Sequence, residues 1–162
     1  MNRESLHRES TGKHASYGST FEDLEVYQVA REFRKAMYGI AKRLPDVERF
    51  GLVSQVRRAA LSLTNNIAEG HGRFHYLDQI KFILQSRGSL EELLDDLNTC
   101  DDEQYLANDE VVMLKEQGWR LRKLIDGYIR YLRQQINSSG TRAREDAEPY
   151  LGNDTDDSRF SM

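Results

Sequence analysis

Proline is nearly absent from this chain, standing at only two of its 162 positions, Pro45 and Pro149. Long segments therefore run without a residue that lacks the backbone donor and blocks helix geometry, as a helical protein requires. Cysteine occurs once, at Cys100, which excludes an internal disulfide framework and fits a reducing compartment. No apolar run approaches the ~18 residues that a membrane span needs, and the N-terminus has no hydrophobic segment of the secretory kind. The expectation is a cytoplasmic protein that does not enter the membrane, and the triplets Asn137-Ser138-Ser139 and Asn153-Asp154-Thr155 then carry no glycosylation meaning. An excess of positive charge is missing too: the formal net charge is −4, which excludes a surface that is everywhere an electrostatic trap for nucleic acid.

What is there is helical periodicity, with no strand signal or internal repeat to compete. Residues 1–19 are polar, Ser-rich and aperiodic and read as a disordered arm. Thr20 offers an N-cap with Asp23 three residues on, an approximate capping box. Leu24, Tyr27, Ala30, Phe33, Met37, Ile40 and Leu44 then carry a first helix to about Arg43, where Pro45 ends it. A second helix begins between Glu48 and Leu52 and stops at Gly70 and Gly72, which accept a left-handed cap without strain. A third runs from Tyr76 to about Cys100 on Ile80, Ile83, Leu90, Leu94 and Leu97. The fourth, capped by Asn108, has the cleanest period: Val111, Leu114, Gly118, Leu121, Ile125, Tyr128 and Leu132 alternate three and four apart. From Asn137 to Met162 the chain is polar and acidic and reads as a disordered tail. The fold class is all-α: an up-down-up-down four-helix bundle over residues 20–136.

The second helix carries two stripes. Leu52, Val56, Ala59, Ala60, Leu63 and Ile67 form its apolar face, and beside them run Gln55, Ser62, Asn66 and Glu69. Small amides and hydroxyls in place of Lys suit a hydrogen-bonded seam, because burying them unpaired costs about 1–3 kcal/mol each. The seam is expected to face Ser86, Ser89 and Glu92 of the third helix; the alternative is a solvent-facing line. Trp119, Leu124, Ile129 and Ile136 widen the apolar surface of the fourth helix beyond one seam, which suits packing against another subunit.

Several of these residues also carry a family resemblance. Phe21-Glu22-Asp23-Leu24 with Tyr27-Gln28, Pro45 with Glu48 and Phe50-Gly51-Leu52, Gln55-Val56-Arg57-Arg58-Ala59-Ala60 running to Ser62, Asn66-Ile67-Ala68-Glu69-Gly70, Arg73 and Gly88-Ser89-Leu90-Glu91-Glu92-Leu93 stand in matching order and spacing. The chain resembles the four-helix bundle proteins encoded by intervening sequences of bacterial large-subunit ribosomal RNA genes. Those proteins are related to the accessory variability determinant of diversity-generating retroelements. The likeness covers roughly residues 20–135 and departs at His75, where the family places a Ser that could cap the third helix. It implies a homo-oligomer, in the retroelement relatives a barrel-shaped pentamer, that binds nucleic acid together with a reverse transcriptase.

Catalytic and metal chemistry find little footing. His71 and His75 are four apart beside glycines, with only Glu69 and Asp78 near in sequence to complete a metal site. No helix holds the Glu-x-x-His pair of a di-iron bundle. Cys100 lacks a neighbouring His, and no serine elbow or phosphate-binding glycine loop is present. The reading is a protein that is not an enzyme and has no cofactor.

Surface charge remains. From Glu91 to Glu110 there are nine acidic residues and no basic one; from Lys115 to Arg133 there are six basic residues against Glu116 and Asp126. Antiparallel order is expected to give a basic end, collecting His71, Arg73, His75, Lys81, Arg87, Arg130 and Arg133, and an acidic end around Asp95 to Glu110. Arg57, Arg58, Arg73, Arg120, Arg122, Lys123, Arg130 and Arg133 are the candidates for phosphate contact, with Tyr76, Tyr128 or Tyr131 for stacking. Solvated arginines paired with Glu or Asp along their own helices are the plainer alternative. Two functions follow: an oligomer that binds RNA or a complex with a reverse-transcriptase-type protein, or a structural adaptor that binds a protein partner and no nucleic acid.

Overall fold

Thr20 and Asp23 do form a capping pair, but on a turn that precedes the first helix. The Thr20 N–H donates to the Asp23 carboxylate at 2.7 Å, closing a 3-10 turn over Phe21–Asp23. Residues 19–145 are described by this computed structural model, with side chains to residue 140. The helices are α1 (Glu25–Ala41), α2 (Leu52–His71), α3 (Tyr76–Asp102) and α4 (Asn108–Glu145). Sequence neighbours pack on one another, α1 closes onto α4, and α2 and α4 lie diagonally opposite. This is the expected up-down-up-down four-helix bundle, all-helical among the described residues.

The α1–α2 link explains a motif in physical terms. Pro45 stops α1, and the carboxylate of Glu48 then works at two places. One oxygen accepts the Leu52 N–H at 3.1 Å, satisfying a free donor at the start of α2, and the other accepts the Tyr105 hydroxyl at 3.0 Å. A Cβ at position 51 would stand 2.8 Å from that carboxylate, so Gly51 makes room for the cap.

Helix ends differ from expectation in four places. Gly72 at the end of α2 has φ −74°, so no left-handed cap forms there; its N–H bonds back to Ala68 and Glu69. Gly70 instead lets α3 approach, since a Cβ there would meet Phe82 Cβ at 3.0 Å and the Gln79 carbonyl oxygen at 3.2 Å. The left-handed cap occurs after α3, at Gln104 (φ 55°), where Tyr105 N–H reaches the Cys100 carbonyl and Gln104 N–H that of Asp101. Asn108 is inside α4 rather than its cap: the Ala107 carbonyl accepts the first helical bond, and the Asn108 amide goes to Asp101.

The fourth difference is length. Helix α4 continues past Ile136 to Glu145, so the first part of the expected tail is helical, with the Ser138 and Ser139 hydroxyls bonded back to Gln134 and Gln135. The rest of that tail, and residues 1–18 of the expected arm, lie outside the described residues.

One core runs through the bundle, with Phe33, Met37, Leu63, Ile67, Ile83, Leu90, Leu97, Leu121 and Ile125 essentially without exposure. The surplus apolar residues of α4 are largely spent on it. Ile129 is buried, and Leu124 and Ile136 pack against the core, because the start of α1 lies beside that part of α4. Only Trp119 of that set stays exposed, beside Val112 and Met113. Among the described residues, no helix is long and apolar enough to cross a membrane.

Candidate nucleic-acid interface

The eight candidate cations do not gather on one surface, because α2 and α4 are diagonal. Three of them are paired. Arg58 meets Glu92 at 2.5 Å, Arg73 meets Glu69 at 2.5 Å, and Arg122 lies 3.1 Å from Glu91. Arg73 and Arg122 also cover the faces of Phe82 and Trp119. Arg57 stacks on Tyr38 at 5.1 Å, and no carboxylate partner is found for it among the described residues. Arg120, Lys123, Arg130 and Arg133 likewise have none there, and they follow the outer side of α4. Exposed ion pairs of this kind contribute about 0–1 kcal/mol each, so their main effect is to occupy the arginines concerned.

The expected polarity of the bundle is blunted at both ends. Lys42, Arg43 and Arg49 sit at the acidic end, where Arg43 pairs with Glu110. At the opposite end, Glu69 and Asp78 take up Arg73 and Lys81. The expected acidic end rested on α3 and α4 alone, whereas the link from α1 to α2 carries these cations to the same end. Tyr128 and Tyr131 stack on each other with centroids 6.2 Å apart, and burial raises the Tyr128 phenol above its usual range.

Between α2 and α3, part of the polar stripe does cross. Gln55 donates to Glu92 at 3.1 Å, Ser89 to Ser62 at 2.8 Å, and the buried Ser86 to the Leu63 carbonyl at 2.7 Å. Asn66 stays within α2, donating to the Ser62 carbonyl and hydroxyl, and Glu69 is exposed and turned to Arg73. His75 begins α3 with no side-chain cap.

The same interface buries a carboxylate. Asp96 is 7% exposed and one of its oxygens has no hydrogen-bond partner. Burial, reinforced by Glu92 and Asp95 and opposed by Arg58, raises its pKa to about 6. Burial likewise pushes the Cys100 thiol up to about 11, which makes it a poor nucleophile.

A cationic surface that the sequence reading passed over lies between α1 and α2. Arg34, Lys35 and Lys42 fall on the α2 side of α1, Arg31 precedes them by one turn in the same row, and Arg57 meets Tyr38 there from α2. Arg34, Lys35, Tyr38, Gly39, Lys42 and Leu61 line an open groove of about 540 Å³. From Leu52 to Ala68, α2 carries no Asp or Glu at all, and the one acidic neighbour on α1 there, Glu32, is held by Lys35 at 2.7 Å. The signal was available: positions 31, 34, 35, 38 and 42 share one side of a helix at spacings of three, four and seven.

Comparison with known proteins adds a family. The family of 23S rRNA-intervening sequence proteins matches residues 22–127. Among solved structures, the chain is similar to a protein of unknown function from the S23 ribosomal protein family of Bacteroides thetaiotaomicron. The TM-score is 0.61 at 19% identity, covering 65% of this chain and 95% of that one, a likeness of fold alone. No curated protein matches the chain.

Proposed function

The chain belongs to the 23S rRNA-intervening sequence protein family, and from that premise we propose that it is a binding protein that assembles as a homo-oligomer and engages RNA, alone or in a nucleic-acid–protein complex. The resemblance implies a pentameric ring in a bacterium, and composition and motifs add a cytoplasmic protein that acts without catalysis or cofactor. The observation that carries the reading is the row of cations without carboxylate partners along α4, Arg120, Lys123, Arg130 and Arg133, with Arg57 likewise unpaired on a separate face, that of α2. A phosphate chain is the ligand that such a set suits, and the chain has no module for reading base edges.

One observation favours a second reading. The net charge is −4, and exposed Phe50, Phe74 and Trp119 offer apolar anchors at both ends and on one side. A structural adaptor that binds a protein partner, with no nucleic acid, fits those features.

Sedimentation equilibrium at micromolar concentration is expected to give several times the 18.8 kDa monomer mass, and added RNA is expected to co-sediment at low salt. A monomer would remove the assembly. An oligomer that leaves every RNA and DNA free at low salt would hand the function to the adaptor.

A further inference from the structure

We propose that the groove between α1 and α2 is a binding site for the sugar-phosphate backbone of single-stranded RNA. This rests on the RNA reading above and gives it a place that differs from the α4 surface and from the ends of the bundle.

Three features support the assignment. The first is charge. Arg34, Lys35 and Lys42 line the groove, Arg31 stands one turn before them in the same helical row, and Arg57 lies on the Tyr38 ring, where α2 offers no carboxylate. From position 31 to 42 the strip is about 16 Å long at the rise of a helix, enough for a short run of strand. Elsewhere the arginines that face a neighbouring helix, such as Arg58, Arg87 and Arg122, are met by Glu92, Asp126 and Glu91. Apart from Lys35, which holds Glu32, the row has no carboxylate partner among the described residues, and such a row is the complement of a polyanion.

The second feature is preorganisation. Arg34 donates to the buried Thr64 hydroxyl at 2.9 Å, which fixes its guanidinium along the groove wall with donors to spare. Arg57 is laid flat on the Tyr38 ring. Less rotamer freedom then remains to be lost when a phosphate arrives, and the planar guanidinium offers a stacking face to a base.

The third is shape. Nothing lies within 4 Å of where a Cβ would stand at Gly39, so the solvent side of the groove is open at the last turn of α1. Leu61, 44% exposed, supplies an apolar patch suited to base or sugar rather than to ions. A duplex is too wide to enter between two packed helices, whereas a single strand can lie along the groove. Recognition of this kind tolerates any sequence.

The test uses the full chain and a short fluorescein-labelled single-stranded RNA of mixed sequence, read by anisotropy. Replacing Arg31, Lys42 and Arg57 together by Gln is expected to weaken binding at least tenfold. It should also flatten the slope of log K against log salt by about 2, since each phosphate contact on a single strand contributes about 0.7. Lys81→Gln with Lys115→Gln, both outside the groove and already bonded to Asp78 and Asn98, should stay within twofold of the wild type. On the wild-type protein, RNA should shield Lys35 and Lys42 from amine acylation and leave Lys81 and Lys115 reactive, a readout independent of how the variants fold. Wild-type binding that survives in the triple variant with an unchanged slope would overturn the groove and leave the RNA reading standing. Displacement of the RNA by polyglutamate at equal charge would assign the groove to an acidic polypeptide and overturn the proposal. No binding by the wild-type protein at low salt would remove both readings.

Discussion

Replacing Asp96 by Asn is expected to stabilise the bundle by about 2 kcal/mol at pH 7, most of the roughly 3 kcal/mol that its pKa shift represents. The carboxylate is buried at the α2–α3 interface, has an oxygen without a partner, and has Glu92 and Asp95 for neighbours. Its pKa is 3.8 in the unfolded reference and about 6 in the fold, so between those values the folded state holds a proton that the unfolded state has released. The contribution of this group is therefore fully present below about pH 4 and is lost as the pH rises through 6. The neutral amide avoids that loss. The gain in Asp96→Asn should be greatest above pH 7 and should shrink toward zero near pH 4, which urea denaturation of both proteins across that range measures. A gain that does not change with pH would mean that Asp96 is charged and well solvated throughout.

The second large effect is steric. Gly118 lies on the apolar seam of α4, and a Cβ there would stand 2.6 Å from Leu94 Cδ2 and 3.3 Å from Phe33 Cζ. Gly118→Val is expected to destabilise by about 3 kcal/mol, at the upper end of overpacking effects, although Val is the better helix former. Leu94 is buried and has little room to swing away. Leu94→Ala alone should also destabilise, by about 2–4 kcal/mol, through the cavity it leaves. Together the two should cost less than their sum by more than about 1 kcal/mol, because the valine fills the space that the leucine vacates. Strict additivity would show that Gly118 does not take up the Leu94 side chain as the packing indicates.

Gly118 also shows how far the sequence could be read. Its place in a three-four alternation marks it as a core position, and a glycine where a leucine is due already implies close approach. Pro45 and the periods of all four helices placed the elements within a few residues, the end of α4 excepted. What stayed hidden depends on partners distant in sequence. Gly70 looks like a helix stop until α3 is seen packed against it, and Gln104 gives no sign of the left-handed cap that it forms. The run to Glu145 has no apolar period to announce it; it continues α4 where only Gly140 opposes a helix before Pro149.

The candidate site was less legible for a different reason. Arginine reads the same whether it is paired or free, and only the packing shows that Arg58, Arg73 and Arg122 are engaged with carboxylates while Arg57 is not. Within the polar stripe, the spacing of Gln55, Ser62, Asn66 and Glu69 could not tell which of them cross to α3. A few degrees of helix rotation carry Glu69 to solvent and leave Asn66 bonded within its own turn. The cations of α1 were readable from spacing alone. What spacing does not show is that this row faces α2, where no carboxylate meets it.

Binding of single-stranded RNA by phosphate neutralisation is the central claim, and salt reports on it most directly. Anisotropy titrations of the wild-type protein between about 50 and 200 mM salt should give a slope of log K against log salt near −3, as expected if most of the five groove cations contact phosphate. RNAs of unrelated sequence should fall on the same line. A slope near zero, or no binding at the lowest salt, would contradict the account.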